Sequence, residues 1–299
     1  MSDTFKTIAI TGYYADETTL ATIIQLIGIL NERGCKLVAS ANMPDSIGDL
    51  VDRAPKEQLA GLADLLIAVG GDGTMLSACR LAAAGQIPVL GINRGRLGFL
   101  TDISPDSMRE AIDEVFSGNF TLEKRMLVKG EVWRGEELIA SGLGMNDIVL
   151  KRQEPARMVE FKTLINGQYV NTHGGDGMIA ATPTGSTAYA LSCGGPIMQP
   201  LLDAFVLAPI CPHTLSDRPL VVPAVSVTDI ILMDNHGSKA DVSGDGELLA
   251  EMIAGDRLRI EAADTRVQLI HPPGYDYYEV LRDKLYWGRD TRDTARQKP

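Results

Sequence analysis

Basic residues are scarce in this sequence relative to acidic ones. Its 299 residues include 28 lysines and arginines against 39 aspartates and glutamates, which gives a formal net charge of −11 and an isoelectric point near 4.9. Nucleic acids and anionic membranes bind proteins through basic surface, so the charge argues against both as partners. A polyphosphate ligand would have to be held by local arginines and backbone amides that overcome the acidic field.

Cysteine pairs and long apolar runs are also missing. The cysteines, Cys35, Cys79, Cys193 and Cys211, are widely spaced and form no Cys-x-x-Cys pair. This spacing excludes a disulfide framework or a zinc site of the usual pattern and predicts reduced thiols. The most apolar run, residues 20–30, contains a glutamine and repeats with helical spacing, unlike a signal peptide or a membrane span. We therefore expect a cytoplasmic protein without a membrane partner.

Two common nucleotide-binding motifs are absent as well. The first apolar strand is followed by Gly12-Tyr13-Tyr14 rather than by G-x-G-x-x-G, and no G-x-x-x-x-G-K-[ST] segment occurs. A dinucleotide is therefore not held in the usual Rossmann manner, and a nucleoside triphosphate is not held by a P-loop. Any nucleotide site in this chain must use another arrangement.

The first 119 residues alternate between strand and helix patterns. Strands are predicted at residues 6–11, 35–40, 65–69 and 87–92, and helices at residues 19–33, 49–60, from 74 onward and 104–116. This alternation is typical of an α/β domain with a doubly wound parallel sheet. Because domains average about 150 residues, the length predicts roughly two of them, and we assign residues 1–119 to the first.

The pattern changes at residue 120. Short strands separated by turns predict an all-β sandwich domain over residues 120–271. The predicted strands are residues 126–133, 138–141, 147–150, 158–165, 225–233, 257–261 and 266–270, with a hairpin turn at Asn166-Gly167. Pro272-Pro273-Gly274 then ends the β pattern, and helical spacing returns at residues 277–285. We expect the C-terminal segment, residues 275–299, to pack back on the first domain.

One stretch of the first domain, residues 65–76 (LLIAVGGDGTML), combines a strand, a glycine-rich turn and a helix pattern. Glycines at such a turn let backbone amides approach an anion, and the helix N-terminus adds about half a positive charge. The turn is therefore suited to bind a phosphate. It is the segment of the chain on which we expect the chemistry to centre.

Asp72 stands in the middle of this turn, where its carboxylate would repel the anion that the amides attract. A chemical role would explain its presence: the carboxylate could hold a metal or accept a proton from a hydroxyl. The alternative is that Asp72 is only the N-cap of a helix that begins at Thr74, since aspartate is a favoured cap. The turn by itself leaves both interpretations open.

Further polar, glycine-rich segments lie outside this turn. Residues 93–100 (NRGRLGFL) carry Arg94 and Arg96, either of which could reach a phosphate or simply be solvated. Residues 142–147 (GLGMND) and 174–192 (GGDGMIAATPTGSTAYALS) interrupt the β domain with polar groups that a plain sandwich does not need. Asn-Asp and Ser-Thr pairs are ordinary turn and cap residues when they occur alone. Their co-occurrence here indicates a site.

Together these motifs resemble those of the NAD kinase (ATP-NAD kinase) family. Residues 70–74 match the family's glycine-aspartate motif, Asn146-Asp147 its Asn-Glu/Asp pair, and Asp176-Gly177 with residues 182–189 its long motif. The similarity extends over nearly the whole chain, including residues 93–100. The first motif is shared with phosphofructokinases and with diacylglycerol or sphingosine kinases, whereas the long motif discriminates between these families.

The resemblance implies a fold, a reaction and a set of site residues. The implied fold is that of the phosphofructokinase/diacylglycerol-kinase-like superfamily. The implied reaction is ATP-dependent phosphorylation of the 2′-hydroxyl of the adenosine ribose of NAD, with Mg²⁺ as the divalent cation and Asp72 as the general base. The NAD-binding residues carried over are Asp72, Gly73, Asn146, Asp147, Arg157, Asp176, Thr187, Ala188, Tyr189, Ser192 and Glu247, and the ATP- or phosphate-binding residues are Gly70, Gly71, Gly73 and Thr74.

Two positions depart from the family's pattern. Gly174 stands where members often carry a basic residue, with His173 beside it, and Glu247 follows Asp245-Gly246 where a glutamine is common. Each departure removes a positive or neutral partner near an anionic ligand. His271, which precedes two prolines, is interpreted as a structural residue.

The sequence also leads to expectations about a metal ion, about assembly and about alternative functions. No cluster of His, Cys or carboxylate residues has the spacing of a metal site, so Mg²⁺ is expected to arrive with the nucleotide. The family tends to form dimers and tetramers, so a homodimer or homotetramer is expected. The alternatives are a lipid or sugar kinase of the same superfamily, which the long motif disfavours, and a non-catalytic NAD(P)-sensing module, which the intact Asp72 disfavours.

Overall fold

The computed structural model describes residues 5–14, 16–44, 47, 50–95, 98–154, 158–234 and 237–286. The chain divides into two compact units: unit 1 comprises Met1–Glu123 and Gln268–Pro299, and unit 2 comprises Lys124–Val267. The boundaries predicted from the sequence fall after residues 119 and 271. The prediction of an α/β domain followed by a β-rich domain is confirmed.

The elements are numbered here in chain order. In unit 1 they are β1 (Thr7–Gly12), α1 (Glu17–Glu32), β2 (Lys36–Ser40), β3 (Asp52–Ala54), α2 (Leu59–Leu62), β4 (Leu65–Val69), α3 (Asp72–Gly85), β5 (Pro88–Ile92) and α4 (Met108–Phe116). There follow β6 (Thr121–Arg134), β7 (Glu137–Gly144), β8 (Asp147–Arg152), β9 (Val159–Ile165), β10 (Gln168–Gly175), β11 (Gly177–Ala181), α5 (Tyr189–Ser192), β12 (Ala204–Ile210), β13 (Leu220–Pro223), β14 (Thr228–Leu232), β15 (Lys239–Gly244), β16 (Glu247–Ile253), β17 (Arg257–His271) and α6 (Tyr277–Leu285).

Unit 1 is built around a parallel sheet with the strand order β3-β2-β1-β4-β5. The last part of β17, residues 268–270, pairs in parallel with β5 and extends this sheet. Ile8, Ile10 and Ile67 belong to a core that includes residues of α1 and α4, while α3 packs against β4 and β5. Strands that are covered on both faces have continuous apolar sequences, which is why the doubly wound sheet is predictable.

The strand order of this sheet reverses between β1 and β4. In open α/β sheets, ligands bind beyond the carboxyl ends of the strands at such a reversal. β1 ends at Gly12, and β4 ends at Val69, directly before the glycine-rich turn at residues 70–74. The fold therefore brings this turn to the place where a ligand is expected.

Two helix predictions in unit 1 are wrong in part. The segment predicted as a helix over residues 49–60 contains instead β3, a turn and the short helix α2. Pro55 explains the difference, because a residue before proline favours extended backbone, and Asp52–Ala54 pairs in parallel with β2. The helix predicted over residues 104–116 begins only at Met108.

Unit 2 consists of two antiparallel sheets. One contains the strand order β10-β9-β14-β17, with β6 paired to β7, and the other has the order β13-β12-β11-β8-β15-β16. Phe161 and Leu258 of the first sheet and Met178 and Phe205 of the second belong to one buried core. The inner faces of the two sheets therefore interdigitate as in a β-sandwich.

Several strands of unit 2 are not predicted from the sequence: β10 to β13, β15 and β16. The turn between β15 and β16 carried a usable signal, because Asp-Gly is a common two-residue hairpin turn. Asp245 and Gly246 have φ angles of 48° and 82°, close to the 51° and 77° of Asn166 and Gly167, where the predicted turn is confirmed. The strands predicted at residues 257–261 and 266–270 form the single strand β17.

Over the part of the chain that the structure describes, no helix is both long and apolar enough to cross a membrane. Cys35, Cys79, Cys193 and Cys211 form no disulfide. Helix α6 of the predicted C-terminal segment belongs to unit 1 and buries Val280 and Leu281. The remainder of that segment, residues 287–299, lies outside the described residues.

Candidate active site

The glycine-rich turn joins β4 to α3 through a tight backbone bend. Gly71 is the N-cap of α3, and the helix begins at Asp72 rather than at Thr74. Gly70 has no room for a side chain, because a Cβ there would overlap the Thr74 side chain. The turn therefore places Gly71, Asp72 and Gly73 at the positive end of a 14-residue helix, where backbone amides favour anions.

The Asp72 carboxylate does not cap its own helix. Its Oδ2 accepts a hydrogen bond from the Phe99 amide at 3.0 Å, and its Oδ1 accepts one from the Leu100 amide at 3.1 Å. The interpretation of Asp72 as the N-cap of α3 is therefore wrong. The two bonds orient a half-buried carboxylate whose remaining lone pairs can accept from a further donor.

Gly98 allows the loop after β5 to approach Asp72. A Cβ at this buried glycine would overlap Asp72 Oδ1 and lie 2.5 Å from Thr101 Oγ1. Any larger residue would therefore push apart the loop and the carboxylate. The sequence shows this glycine in NRGRLGFL. A glycine is needed there because of a contact with Asp72, 26 positions earlier, and no local sequence pattern indicates that contact.

Two cavities of unit 1 border the turn. One, of about 460 Å³, is lined by Thr11, Gly12, Tyr13, Lys56, Gly71, Gly73, Thr74, Ser77 and Arg94. The other, of about 420 Å³, is lined by Asp16, Thr18, Gly71, Asp72, Arg94, Gly98 and Lys284. Both cavities thus combine turn glycines with basic side chains, the combination that holds phosphate groups.

Arg94 borders both cavities and is exposed, with its Nη1 3.7 Å from Asp16 Oδ2. The hypothesis that Arg94 can reach a phosphate therefore has a geometric basis, whereas Arg96 lies outside the described residues. Lys56 and Lys284, which border one cavity each, were not proposed from the sequence. A lone lysine carries no local signal of such a role, because most are simply solvated.

In unit 2, the predicted dinucleotide-binding pair Asn146-Asp147 lies where the turn after β7 enters β8, with Asp147 as the first residue of β8. The carboxylate of Asp245 accepts three backbone hydrogen bonds from this turn: from Met145 N at 2.9 Å, Asn146 N at 2.7 Å and Asp147 N at 3.2 Å. The Asp245 amide in turn donates to Asp147 O at 3.0 Å. The hairpin turn Asp245-Gly246 therefore fixes the backbone that presents Asn146.

Asp147 is buried, with 6% of its surface exposed. Burial raises the pKa of its carboxyl to about 7, and the nearby charge of Asp245 adds to the shift. A buried carboxyl of this kind can carry a proton near neutral pH and then act as a hydrogen-bond donor. Strongly shifted groups of this kind are enriched at functional sites.

The long motif folds over the second sheet of unit 2. Ala190 and Met198 pack on Val149, Ile179 and Val206 in a second apolar cluster of this sheet. Its hydroxyl groups serve the fold itself. Thr182 Oγ1 donates to Met145 O at 2.5 Å, and Ser186 Oγ donates to Pro183 O at 2.6 Å.

Arg125 is a buried partner of the long motif and is not predicted from the sequence. It is 2% exposed, and its Nη1 donates to Thr184 Oγ1 at 3.2 Å. An arginine is rarely buried unless it is paired. Arg125 directly precedes the strand predicted over residues 126–133, so a single arginine beside Lys124 gives no local sign that it is buried.

The other predicted NAD-binding residues of unit 2 have mixed surroundings. Asp176 accepts from Arg152 Nε at 2.6 Å, and Thr187 Oγ1 donates to Thr184 O at 3.3 Å. Burial raises the pKa of Tyr189, and the charges of Asp176 and Asp147 contribute to the shift. Asp176 and Asp147 therefore both lie within electrostatic reach of Tyr189.

The remaining predicted residues are more scattered. Ala188 precedes α5 and is partly exposed, and Ser192 at the end of α5 is exposed. Glu247, the first residue of β16, is exposed beside the turn that holds Asn146. Arg157 lies outside the described residues.

Two family models match this chain. The ATP-NAD kinase N-terminal domain matches residues 19–120, and the ATP-NAD kinase C-terminal domain matches residues 145–272. The NAD kinase of Chromohalobacter salexigens is 43% identical to it over 284 residues, which cover 95% of this chain and 97% of that protein. The chain belongs to the ATP-NAD kinase family.

Other comparisons agree with membership of this kinase family. The NAD kinase of Pseudomonas putida is 44% identical over 285 residues, which cover 95% of this chain and 96% of that protein. The crystal structure of yeast NADH kinase complexed with NADH shares the fold, with a TM-score of 0.88 at 24% identity over 97% of this chain and 90% of that one. An NAD kinase from Archaeoglobus fulgidus in complex with ATP has a TM-score of 0.70 at 25% identity, with coverage of 94% and 97%.

The kinase family decides between the alternatives that the glycine-aspartate motif leaves open. Both family models describe ATP-NAD kinases, and together they match both units of the chain. This finding counts against a lipid or sugar kinase of the same superfamily. It supports a kinase acting on NAD.

Proposed function

We propose that this chain transfers a phosphoryl group from Mg-ATP to the 2′-hydroxyl of the adenosine ribose of NAD, giving NADP. Membership of the ATP-NAD kinase family supports the reaction. The observation that carries the mechanism is the Asp72 carboxylate, which two backbone amides orient at the N-terminus of α3. An aspartate held in this way suits the role of a general base.

Asp72 accepts the proton of the ribose hydroxyl in the proposed step. The hydroxyl oxygen then forms a bond to the γ-phosphorus of ATP while the bond from that phosphorus to the β-γ bridging oxygen breaks. Positioned general bases contribute on the order of 10²–10⁴-fold to a rate. The rest of the acceleration in phosphoryl transfer comes from positioning and charge neutralisation, for which Gly70, Gly71, Gly73 and Thr74 supply the phosphate-binding turn.

The dinucleotide is bound by the predicted residues of unit 2, which are Asn146, Asp147, Asp176, Thr187, Ala188, Tyr189, Ser192 and Glu247. Support comes from the rigid turn that presents Asn146 and from the buried carboxyl of Asp147. A neutral, protonated Asp147 can donate to a ribose oxygen, whereas the ionised form can only accept. Arg157 and Gly73 complete the proposed set.

Mg²⁺ is the cation proposed to accompany ATP. Among the described residues, no three His, Cys, Asp or Glu side chains gather into a group that could hold a metal. Such surroundings fit a cation that is held largely by triphosphate oxygens and water, as Mg²⁺ usually is. When bound, the cation would neutralise charge on the phosphoryl group in transfer.

Assembly and location are further proposals. A homodimer or homotetramer is proposed from the family's tendency. A cytoplasmic location is proposed from the four cysteines that form no disulfide, because thiols stay reduced in that compartment. The acidic net charge of −11 supports the absence of a nucleic-acid partner.

The reaction is tested by incubating the purified chain with NAD and γ-labelled Mg-ATP and identifying the labelled product. We expect label on the 2′-phosphate of NADP, with NADH assayed in parallel. Diacylglycerol and fructose 6-phosphate should remain unlabelled. Dinucleotide binding without any labelled dinucleotide would instead identify a sensing module and overturn the proposal.

A further inference from the structure

The loop that orients Asp72 is a compact turn after β5. Asn93 N donates to Ile103 O at 2.8 Å, and Gly98 N donates to Thr101 O at 3.2 Å, which closes the turn. The Phe99 and Leu100 amides that bind Asp72 lie inside the turn that the Gly98–Thr101 bond closes. The position of the catalytic carboxylate therefore depends on whatever holds residues 98–103.

Asp102, two residues after Leu100, connects this loop to the end of β17. Its Oδ2 lies 2.8 Å from Nδ1 of His271, whose side chain is 3% exposed. Tyr275 stacks on the His271 ring with centroids 3.7 Å apart and planes 9° apart. Nε2 of His271 lies 3.3 Å from Glu123 Oε2. The imidazole is therefore confined on both edges and on one face.

We propose that His271 is a positioning residue for Asp72, acting through Asp102 to hold the loop whose Phe99 and Leu100 amides orient the carboxylate. This inference rests on the proposed role of Asp72 as general base. It assigns a part in the reaction to a histidine that lies 199 positions after Asp72 in the chain.

The Asp102 carboxylate depends on His271 for its hydrogen bond. Asp102 Oδ1 is buried and accepts no hydrogen bond from the described residues, so Oδ2 carries the carboxylate's link to the protein. Removing the imidazole would leave a largely buried carboxylate unpaired, which favours movement of Asp102 towards water. Leu100 and Phe99 would move with it. Displacements of about 1 Å in catalytic groups can reduce turnover about 100-fold.

The test compares His271→Ala, His271→Asn and Asp102→Ala with a matched control. We expect His271→Ala and Asp102→Ala to lower kcat by about tenfold or more, with KM for NAD nearly unchanged, because the loss acts on a catalytic group. His271→Asn keeps an N–H near the position of Nδ1 and should recover most of the kcat. The double variant should be no slower than either single one, since both changes break one link.

His173→Ala is the control. His173 is 5% exposed, and its Nδ1 lies 2.9 Å from Asp217 Oδ2, so this variant breaks an equally buried histidine–aspartate pair within unit 2. All assays are run at a temperature where circular dichroism shows every variant folded. We expect His173→Ala to lower the melting temperature as His271→Ala does, while kcat stays close to the wild-type value.

A second measurement repeats His271→Ala in the Asp72→Asn background. If His271 acts through Asp72, the change should cost little further kcat there, whereas general damage to the fold should cost the same factor in both backgrounds. Equal losses in both backgrounds, or a normal kcat for the folded His271→Ala and Asp102→Ala variants, would overturn the inference. The reaction and the role of Asp72 would still stand, because NADP formation and the Asp72→Asn effect are measured separately.

Discussion

At the scale of single residues, the proposed chemistry depends on Asp72. Its two carboxylate oxygens each accept one backbone hydrogen bond, from residues 27 and 28 positions later in the chain. Each oxygen retains a lone pair for a further donor. The carboxylate is therefore held in place and is still able to accept a proton from a hydroxyl. A carboxylate that capped its own helix would be less able to do both.

Asp72→Asn should lower kcat by roughly 10²–10⁴-fold with a smaller change in KM for NAD. The change removes the base, and the amide nitrogen it introduces cannot accept from Phe99 or Leu100. The measurement is steady-state NADP formation with NAD and ATP varied in turn. A turnover near that of the wild type would rule out the base role.

Asp64→Asn is the matched control for this prediction. Asp64 Oδ2 also accepts from two successive backbone amides, those of Lys6 at 3.0 Å and Thr7 at 2.9 Å, at the opposite end of the sheet of unit 1. Its replacement disturbs the same kind of hydrogen bond without touching the glycine-rich turn. We expect a lower melting temperature and a nearly normal kcat.

At the scale of elements, the site is made of turns that residues far away in the sequence hold in place. The loop after β5 orients Asp72, and the hairpin turn between β15 and β16 orients Asn146. In both cases a carboxylate accepts hydrogen bonds from successive backbone amides. Substitutions in these turns should therefore change catalysis or binding more than stability.

Gly98→Ala should reduce kcat by about tenfold or more, because a Cβ at this position overlaps Asp72 Oδ1 and displaces the loop. KM for NAD should change less than kcat. Gly28→Ala on α1 is the control: a Cβ there meets nothing within 4 Å, and the exchange in a helix should stabilise the chain by about 0.5–1 kcal/mol. Equal kinetics for the two variants would show that the loop tolerates the added group.

Asp245→Ala should raise KM for NAD more than it lowers kcat, because the amides of residues 145–147 lose their common acceptor and Asn146 is no longer held in position. Isothermal titration with NAD measures the loss of affinity directly. Asn166→Ala is the control, since Asn166 has nearly the same φ angle as Asp245 and its Oδ1 accepts from Val227 N at 2.9 Å. It should lose stability but keep its NAD affinity.

At the scale of the whole molecule, two buried groups link stability to pH in the same direction. Burial raises the pKa of Asp147 in unit 2 to about 7. Burial of His271 in unit 1 opposes its charge, yet the Asp102 and Glu123 carboxylates hold its pKa above the usual 6.5. Both groups bind their proton more tightly in the folded state than in the unfolded state, so both lose stabilising free energy as pH rises.

These two groups should therefore lower the apparent free energy of unfolding as pH rises from about 4 through 7. The Asp147 contribution is lost from the unfolded value near 3.8 up to about 7, and it amounts to something on the order of a few kcal/mol. The His271 contribution is complete below 6.5 and is lost as pH rises through its higher folded-state pKa. Urea unfolding across this range provides the measurement.

Asp147→Asn should reduce the pH dependence of the free energy of unfolding below about pH 7. His271→Asn should reduce that dependence above pH 6.5. Asp64→Asn should change the pH dependence in the opposite direction, because hydrogen bonds from the Thr7 and Lys6 amides lower the pKa of Asp64. That group contributes stability above its unfolded pKa and loses it as pH falls. Parallel curves for all variants would show that none of these groups controls the pH dependence.

The sequence by itself determined the two kinds of domain, the parallel strands of unit 1 and the location of the glycine-aspartate turn. These features are local: apolar periodicity sets strands and helices, and glycines mark a tight turn within a few residues. Local patterns also led to errors. The helix predicted over residues 49–60 is wrong because Pro55 interrupts the helical pattern. Strands β11 and β12 are not predicted because their short apolar runs have no distinctive period.

Only the tertiary structure decided where each site residue lies and which groups hold it in place. Asp72 reads equally well as a cap or as a base until the Phe99 and Leu100 amides are seen on its oxygens. Asp245 meets Asn146 across 99 positions, and His271 meets Asp102 across 169. Hydrogen bonds between such distant segments form because the sheets bring strand ends together, and a one-dimensional pattern contains no trace of them.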